Sequence, residues 1–357
     1  MSYTTLQKIL NDAPGEHQGY QLNCQPTPYS AKDFKIFQLF ASAGIAGDAI
    51  PQTIDYRTML PPVFDQGQRG SCVACANVWT VKAYQEKIQA DYPLTGLSAA
   101  FVYSMSKLVD NLPGVEGTTL KASMQVLQKY GVCTEVEMPY STLTNLPSGQ
   151  VPVVSDDIIQ KAAIFKIQSY AQICGTSDPD RSQLISAMRL ALKAGPFMLA
   201  ILVCDNFVPD SNYILPLPNG GIRGGHAVGI VGDQPDKNRF ILRNSWGTGW
   251  GDNGYAYLPY EWLTAFRDPT GYGVEKAYYL FEAWTATDIP VQSAGVNGWL
   301  YIGKKVAIIN GLLTDLDVAP FVDPIANRTM VPLRFVMEQA GLKVDWNEAA
   351  QSIHFYK

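Results

Sequence analysis

Residues 66–75 read Gln-Gly-Gln-Arg-Gly-Ser-Cys-Val-Ala-Cys. Cys72 follows Gly70-Ser71 and opens a run in which apolar residues recur at 74, 78, 81, 84 and 88, and again at 75, 79 and 83. Two adjacent stripes at this spacing predict a helix over 72–90, buried on most of its circumference. A cysteine at the head of such a helix has four readings: a nucleophile, one half of a redox pair with Cys75, a metal ligand, or a small core residue. The choice among them decides what the rest of the chain is for.

A nucleophilic cysteine needs a base for its proton, a group that orients the base, and donors for the developing oxyanion. The chain has three histidines, and His17 and His354 lie in its terminal segments. Within the central block His226 is therefore the candidate base. The run His-Ala-Val-Gly-Ile-Val-Gly-Asp from 226 and Phe240–Asn244 both read as strands, joined by the turn formers Pro235, Asp236 and Asn238. An antiparallel hairpin centred on Pro235 places Asn244 directly opposite His226, where its amide accepts a hydrogen bond from one ring nitrogen. Gln66 supplies an amide donor, and the backbone N–H of Cys72, free at a helix start, supplies a second. Helix-end potential and a neighbouring imidazolium both lower a thiol pKa. Metal binding is the weakest reading, since neither a second Cys pair nor a histidine cluster accompanies Cys72.

Net charge is −5 over 357 residues and no Lys/Arg-rich run occurs, which argues against nucleic acid as a partner. No apolar run reaches the roughly 18 residues of a membrane span. The N-terminus lacks the basic and apolar regions of a Sec signal peptide. The six cysteines are scattered apart from Cys72 and Cys75, unlike a disulfide scaffold. Residues 1–48 read as an arm, with Ser2-Tyr3-Thr4-Thr5 capping a short helix through Leu10 and a second helix over Lys32–Ala41. Helical patterns at 72–90, 97–109 and 119–130 precede strand patterns at Phe197–Val203, His226–Gly232, Phe240–Asn244, Gly254–Leu258 and Ala277–Phe281. Helices followed by strands predict an α+β domain of two lobes over 49–284. Residues 285–298 read as a linker, and 299–357 as a small ββαβ domain.

Three ordered blocks now carry a resemblance: Asp65-Gln-Gly-Gln-Arg-Gly-Ser-Cys-Val-Ala-Cys75, Gly224-Gly-His-Ala-Val-Gly-Ile-Val-Gly-Asp233, and Ile241-Leu-Arg-Asn-Ser-Trp-Gly-Thr-Gly-Trp-Gly-Asp-Asn-Gly-Tyr255. They resemble the signature blocks of the papain-like cysteine peptidases, whose motif and spacing are an established pattern. The resemblance covers about residues 50–284. It implies a papain-like fold of a helical lobe and a β-barrel-like lobe, and a cysteine endopeptidase acting without cofactor or metal on an extended polypeptide through a thioester. By position, it implies Cys72 as nucleophile, His226 as acid and base, Asn244 as orienter, Gln66 at the oxyanion hole and Trp246 as a shield over the His–Asn bond. Gly70, Ser71, Gly225 and Ala227 would line the cleft, with Gly117 in its glycine-bearing wall. Arg69 stands where the family usually carries a disulfide cysteine, and Val73 where an aromatic residue commonly follows the nucleophile.

By position, the arm resembles a propeptide lying over the cleft, and Cys24 is a candidate to lock Cys72 in a disulfide. Asn327-Arg-Thr-Met-Val-Pro-Leu-Arg-Phe-Val-Met-Glu-Gln-Ala-Gly341 and its surroundings resemble the copper amine oxidase N-terminal-like stalk domain of bacterial surface proteins. That implies attachment or spacing at a cell surface. It implies no copper, because His354 is the segment's lone histidine. The rival readings are a catalytically silent surface binding protein, a thiol–disulfide redox protein using Cys72 and Cys75, and acyl transfer to an amine.

Overall fold

The seven-stranded sheet of the larger unit is built around one strand whose every residue is buried, Phe-Met-Leu-Ala-Ile-Leu-Val-Cys at Phe197–Cys204. Such an unbroken apolar run fits only a strand covered on both faces. The computed structural model describes residues 2–36, 53–90, 96–112, 114–176, 178, 181–267 and 277–288. Within 298–356 it describes the elements named below and a few flanking positions. The chain divides into two compact units, the first holding residues 1–36 and 49–289 and the second holding residues 290–357.

In the first unit the strands are β1 (Glu16–His17), β2 (Tyr20–Gln21), β3 (Cys24–Gln25), β4 (Ile54–Asp55), β5 (Thr118–Thr119), β6 (Ser169–Cys174), β7 (Phe197–Cys204), β8 (Ile222–Gln234), β9 (Arg239–Arg243), β10 (Tyr255–Pro259), β11 (Phe266–Arg267), β12 (Ala277–Tyr278) and β13 (Leu280–Thr287). The main sheet runs β10-β9-β8-β7-β13-β6, with β4 paired to β8. All its pairings are antiparallel. The helices include α1 (Tyr3–Asp12), α2 (Cys72–Ala76), α3 (Ala83–Ala90), α4 (Ala99–Ser106) and α5 (Leu120–Lys129). Ser98 and Thr119 cap α4 and α5, accepting from the N–H groups of Phe101 and Ala122. In α5, Leu120, Met124 and Leu127 recur on one face and are fully buried.

The expected helix over 72–90 is present, but its middle, Asn77–Lys82, has the wider π turn. All six of these residues are buried, including Lys82, whose ammonium meets Glu86, Asp288 and the carbonyl of Lys166. Ser2 caps α1 as expected, its hydroxyl accepting from Thr5 N–H. Residues 31–35 form a turn and a bridge from Lys35 to Gln172, so the expected helix starts no earlier than Ile36, which is helical; the remainder of that expectation, 37–41, lies outside the described residues. The expected linker at 285 also begins later. β13 continues to Thr287, pairing Thr285–Thr287 with Ala171–Ser169, as β-branched side chains favour.

The second unit contains β14 (Gly298–Leu300), β15 (Val306–Ile309) and β16 (Leu312–Asp315) in one antiparallel sheet. It continues with the pair β17 (Phe321–Asp323) and β18 (Arg328–Met330), the helix Leu333–Gln339, and the pair β19 (Lys343–Asn347) and β20 (Ser352–Tyr356). The expected ββαβ order is therefore extended: five described strands precede the helix and two follow it. Strands of three or four residues carry too few alternations to be read from sequence.

Candidate active site

α2 packs against β8, which brings the Cys72 end of the long helix to the strand that carries His226. Ser71 does not cap this helix through its side chain. Its hydroxyl turns inward to Tyr140 Oη at 2.5 Å and Cys75 Sγ at 3.6 Å, so it belongs to the core and not to the open cleft. Cys75 is likewise a buried core thiol, and all six cysteines are free.

His226 and Asn244 meet, though not in the expected register. The ladder pairs Gly229 with Arg243, then slips between Ile230 and Gly232 so that Gly232 faces Ile241. The 3-10 turn at Pro235–Lys237, closed by Asn238 at positive φ, sets Gln234 opposite Arg239; the bulge takes back one position of that shift, and the register still leaves Asn244 away from the position opposite His226. The side chains bridge the offset: His226 Nε2 lies 2.8 Å from Asn244 Oδ1. That oxygen also accepts from Ser245 N–H at 2.8 Å, which fixes the amide's orientation and makes Nε2 the protonated ring nitrogen. Nδ1, the basic nitrogen of this tautomer, is buried and has no hydrogen-bond partner. Trp246 stacks on the imidazole at 4.8 Å between ring centroids, with its own Nε1 buried and unpartnered.

Gln66 is held from three directions. Its Oε1 accepts from Ser245 Oγ at 2.6 Å, and its Nε2 donates to Arg69 O at 2.9 Å and to Gln21 O at 3.2 Å. The last contact comes from the N-terminal arm. Residues 21–25 pass between the two lobes: Asn23 bridges Gly225 on one side, and Cys24 pairs with Thr118 on the other, parallel to β5. The walls are glycine for a physical reason. A Cβ at Gly117 would lie 1.8 Å from Asn23 O, and one at Gly225 would lie 2.3 Å from Cys24 O. Gly70 also touches the arm, where a Cβ would meet Asn23 Nδ2 at 2.8 Å. Ala227 follows His226 and is fully buried.

The arm changes the electrostatics that the sequence implies. Cys72 and His226 are both 0% exposed. Burial pushes the Cys72 thiol up to about 11, against the backbone amides of Ala227, Asn23, Val73 and Cys72 itself, which pull it down. Burial pushes His226 down to about 4, opposed by its bond to Asn244 and aided by His17. The expected lowering of the thiol pKa is thus reversed: desolvation outweighs the helix-end amides, and both partners are held neutral. Cys24 is a buried free thiol, raised well above the usual range by burial and then by the proximity of Cys72.

Several residues of the site carried no signal in the sequence. Tyr20 stacks on Trp246 at 4.8 Å and donates to its carbonyl at 3.0 Å, while His17 lies 6.0 Å from the same indole. Glu282 accepts from Thr27 N–H at 3.0 Å and from the indole of Trp284. Burial holds its carboxyl up at about 7, with Thr27 and Trp284 pulling it down. A lone carboxylate inside Leu-Phe-Glu-Ala-Trp was the one available clue to it. A backbone carbonyl such as that of Gln21 has no sequence signature at all. Among the described residues no group of three or more His, Cys, Asp or Glu is placed to hold a metal ion, and no helix is long and apolar enough to cross a membrane.

With this geometry in hand, residues 50–263 match the papain family cysteine protease, and residues 285–355 match the copper amine oxidase N-terminal domain. A peptidase C1-like protein of Acanthamoeba polyphaga mimivirus is 29% identical over 247 residues, covering 66% of this chain and 77% of its own. Cathepsin B-like CP2 of Giardia intestinalis is 29% identical over 216 residues, covering 58% and 68%. The fold is similar to that of xylellain, a cysteine protease from Xylella fastidiosa, with a TM-score of 0.59 at 24% identity, covering 79% of this chain and 99% of that one.

Proposed function

The chain belongs to the papain family of cysteine proteases, and from that premise we propose that it cleaves peptide bonds with Cys72, His226, Asn244 and Gln66, and that its N-terminal arm keeps it latent. The carrying observation is the His226–Asn244 bond, which leaves Nδ1 basic and unpartnered at the strand packed on the Cys72 helix. In the mechanism, Nδ1 takes the Cys72 proton as sulfur attacks the scissile carbonyl carbon. The oxyanion is met by Gln66 Nε2 and the Cys72 backbone N–H. The imidazolium then protonates the leaving amine, and water hydrolyses the thioester by the same proton path in reverse. Trp246 keeps water from the His226–Asn244 bond.

Latency is supported by where the arm runs. Gln21 O occupies the Gln66 donor that the oxyanion requires, and Asn23 and Cys24 fill the space between Gly117 and Gly225 where an extended peptide would lie. The neutral thiol and imidazole fit the same reading, since the reactive ion pair needs a less desolvated site. We place the arm at residues 1–48 and the peptidase at 49–287, with a linker in the chain between β13 and β14. Residues 299–357 we read as an attachment or spacing module at a cell surface, on the strength of the second family match.

Incubation of the purified full chain with reductant, followed by a thiol-directed epoxide and a peptide-substrate screen, tests the reading. The expected result is labelling at Cys72 and hydrolysis that both appear as the arm is cleaved or displaced, and that an added peptide of residues 2–36 suppresses. Labelling without any hydrolysis would refute the peptidase mechanism. Full activity with the arm intact, unaffected by the added peptide, would refute latency. Retention of the full chain on bacterial cell walls, lost on truncation after 288, is the result expected of an attachment module.

A further inference from the structure

We propose that Arg69 and Glu116 are positioning residues that hold the oxyanion donors in place, an inference that rests on the assignment of Gln66 and Cys72 above. Gln66 Nε2 has two hydrogens. One is fixed on Arg69 O, and the other points at Gln21 O, the position an oxyanion would take once the arm has left. The direction of the useful hydrogen therefore depends on where the Arg69 carbonyl sits.

That carbonyl is gripped from both sides of the 69–70 peptide. On one side the Arg69 side chain, 5% exposed, sends Nη1 to Leu146 O at 3.0 Å and Pro147 O at 2.8 Å, and Nη2 to Gln150 O at 2.7 Å. Its Nε lies 3.4 Å from Glu116 Oε1. On the other side Glu116 Oε1 accepts from Gly70 N–H at 2.8 Å, while its Oε2 accepts from Ser148 Oγ at 3.1 Å and from Gly149 N–H. Gly70 leaves room for this carboxylate, because a Cβ there would lie 2.7 Å from Glu116 Cγ. The next residues are Ser71 and Cys72, whose own N–H is the second donor. One guanidinium–carboxylate pair, the guanidinium buried and the carboxylate partly so, thus ties the peptide between the two donors to the 146–150 loop and to the cleft wall at Gly117.

A guanidinium suits this task because its planar fork fixes several acceptors at once, which a lysine ammonium does not. Oxyanion stabilisation tolerates misplacement of only about 0.5 Å. Loosening the grip therefore acts on the chemical step and not on peptide binding.

The test compares the full chain, after arm release, with Arg69→Met, Arg69→Lys and Glu116→Gln, the last two keeping charge or shape so that folding is preserved. Three readouts are taken: kcat and KM on a peptide substrate, the rate of Cys72 alkylation by iodoacetamide, and hydrogen exchange at 66–72. Both Arg69 variants are expected to lower kcat by about tenfold or more, with KM within about twofold, and Glu116→Gln by about threefold. Alkylation builds no oxyanion, so its rate stays within about twofold of the parent. Exchange rises at 66–72 but not in the central strands. Unchanged kcat, or kcat and alkylation falling together, overturns the proposal. Should the parent chain itself hydrolyse nothing, the peptidase mechanism fails separately. Exchange then decides alone: a rise confined to 66–72 and 114–118 supports the grip, while no rise or a global one overturns it.

Discussion

The arm touches the first unit in two different ways. Its beginning is held by side chains: Leu6 and Leu10 of α1 are buried, and Tyr20 and His17 cover Trp246. Its crossing, residues 21–25, works through the backbone: the Gln21 carbonyl on Gln66, the Asn23 bridge to Gly225, and the pairing of Cys24 with Thr118. The beginning is thus held by side chains and the crossing by the main chain. Side chains set how tightly the arm docks, while the main chain, squeezed between glycines, does the obstructing. A consequence is that mutations in the anchor tune latency without touching the chemistry.

The largest effect separates chemistry from blockade altogether. Cys72→Ala is expected to lower hydrolysis by at least about a thousandfold while leaving the arm docked and uncleaved, as read by mass spectrometry of the intact chain. If hydrolysis persists in that variant, both regions have been misassigned. Next, Leu6→Ala removes a fully buried anchor, a loss of about 2–5 kcal/mol, so arm release in the full chain should quicken by at least about tenfold. An unchanged lag would shift the anchorage from α1 to the crossing itself.

Acidification probes the same division through protons, best in Cys72→Ala so that self-cleavage does not intrude. His226 falls from an ordinary value of 6.5 to about 4, and His17 is lowered by burial and then by Arg223. Groups held low bind fewer protons when the arm is docked. The support that His226 gives to docking is complete above pH 6.5 and is lost as pH falls toward 4, and His17 acts in the same sense. Glu282, raised from 4.5 to about 7, acts in the opposite sense, with support complete below 4.5 and lost as pH rises through 7. Two imidazoles against one carboxyl predict net release on acidification, followed by the fluorescence of Trp246 as Tyr20 leaves it. His17→Gln should flatten that transition and Glu282→Gln should steepen it; the reverse order would mean that the arm does not cause these burials.

A smaller change, Thr27→Pro, deletes the N–H that Glu282 accepts. It is expected to weaken docking by about 1–3 kcal/mol, measured as the inhibition constant of the arm peptide. The smallest effect is none at all. All six cysteines are free, so reductant should move the thermal midpoint by less than about 1 °C, whereas a clear fall would reveal a Cys24–Cys72 bond formed under oxidation.

Side-chain type and spacing are what the sequence makes legible, and the proposed site rests on them. Cys72, His226 and Gln66 could be named from their blocks. Asn244 was named from a hairpin register that the 3-10 turn at Pro235–Lys237 in fact displaces, and the pair still meets because side chains span the offset. The all-buried strand Phe197–Cys204 was visible as an apolar run. The charge state was not visible, since burial in the folded chain overrides the local backbone amides. Nor was the role of Arg69, which sequence marks only as a departure from the family pattern.

By itself, the sequence determined the class of this protein: a cysteine, a histidine and a carboxamide in an order that suits thiol chemistry, on helices and strands whose apolar periodicity is local. Only the tertiary structure decided that the arm crosses between Gly225 and Thr118, that its Gln21 carbonyl accepts from Gln66, and that an Arg–Glu pair holds the 69–70 peptide. The reason is physical. Periodicity and residue type are properties of neighbours along the chain, whereas desolvation and backbone hydrogen bonds between distant segments exist only once the chain has folded.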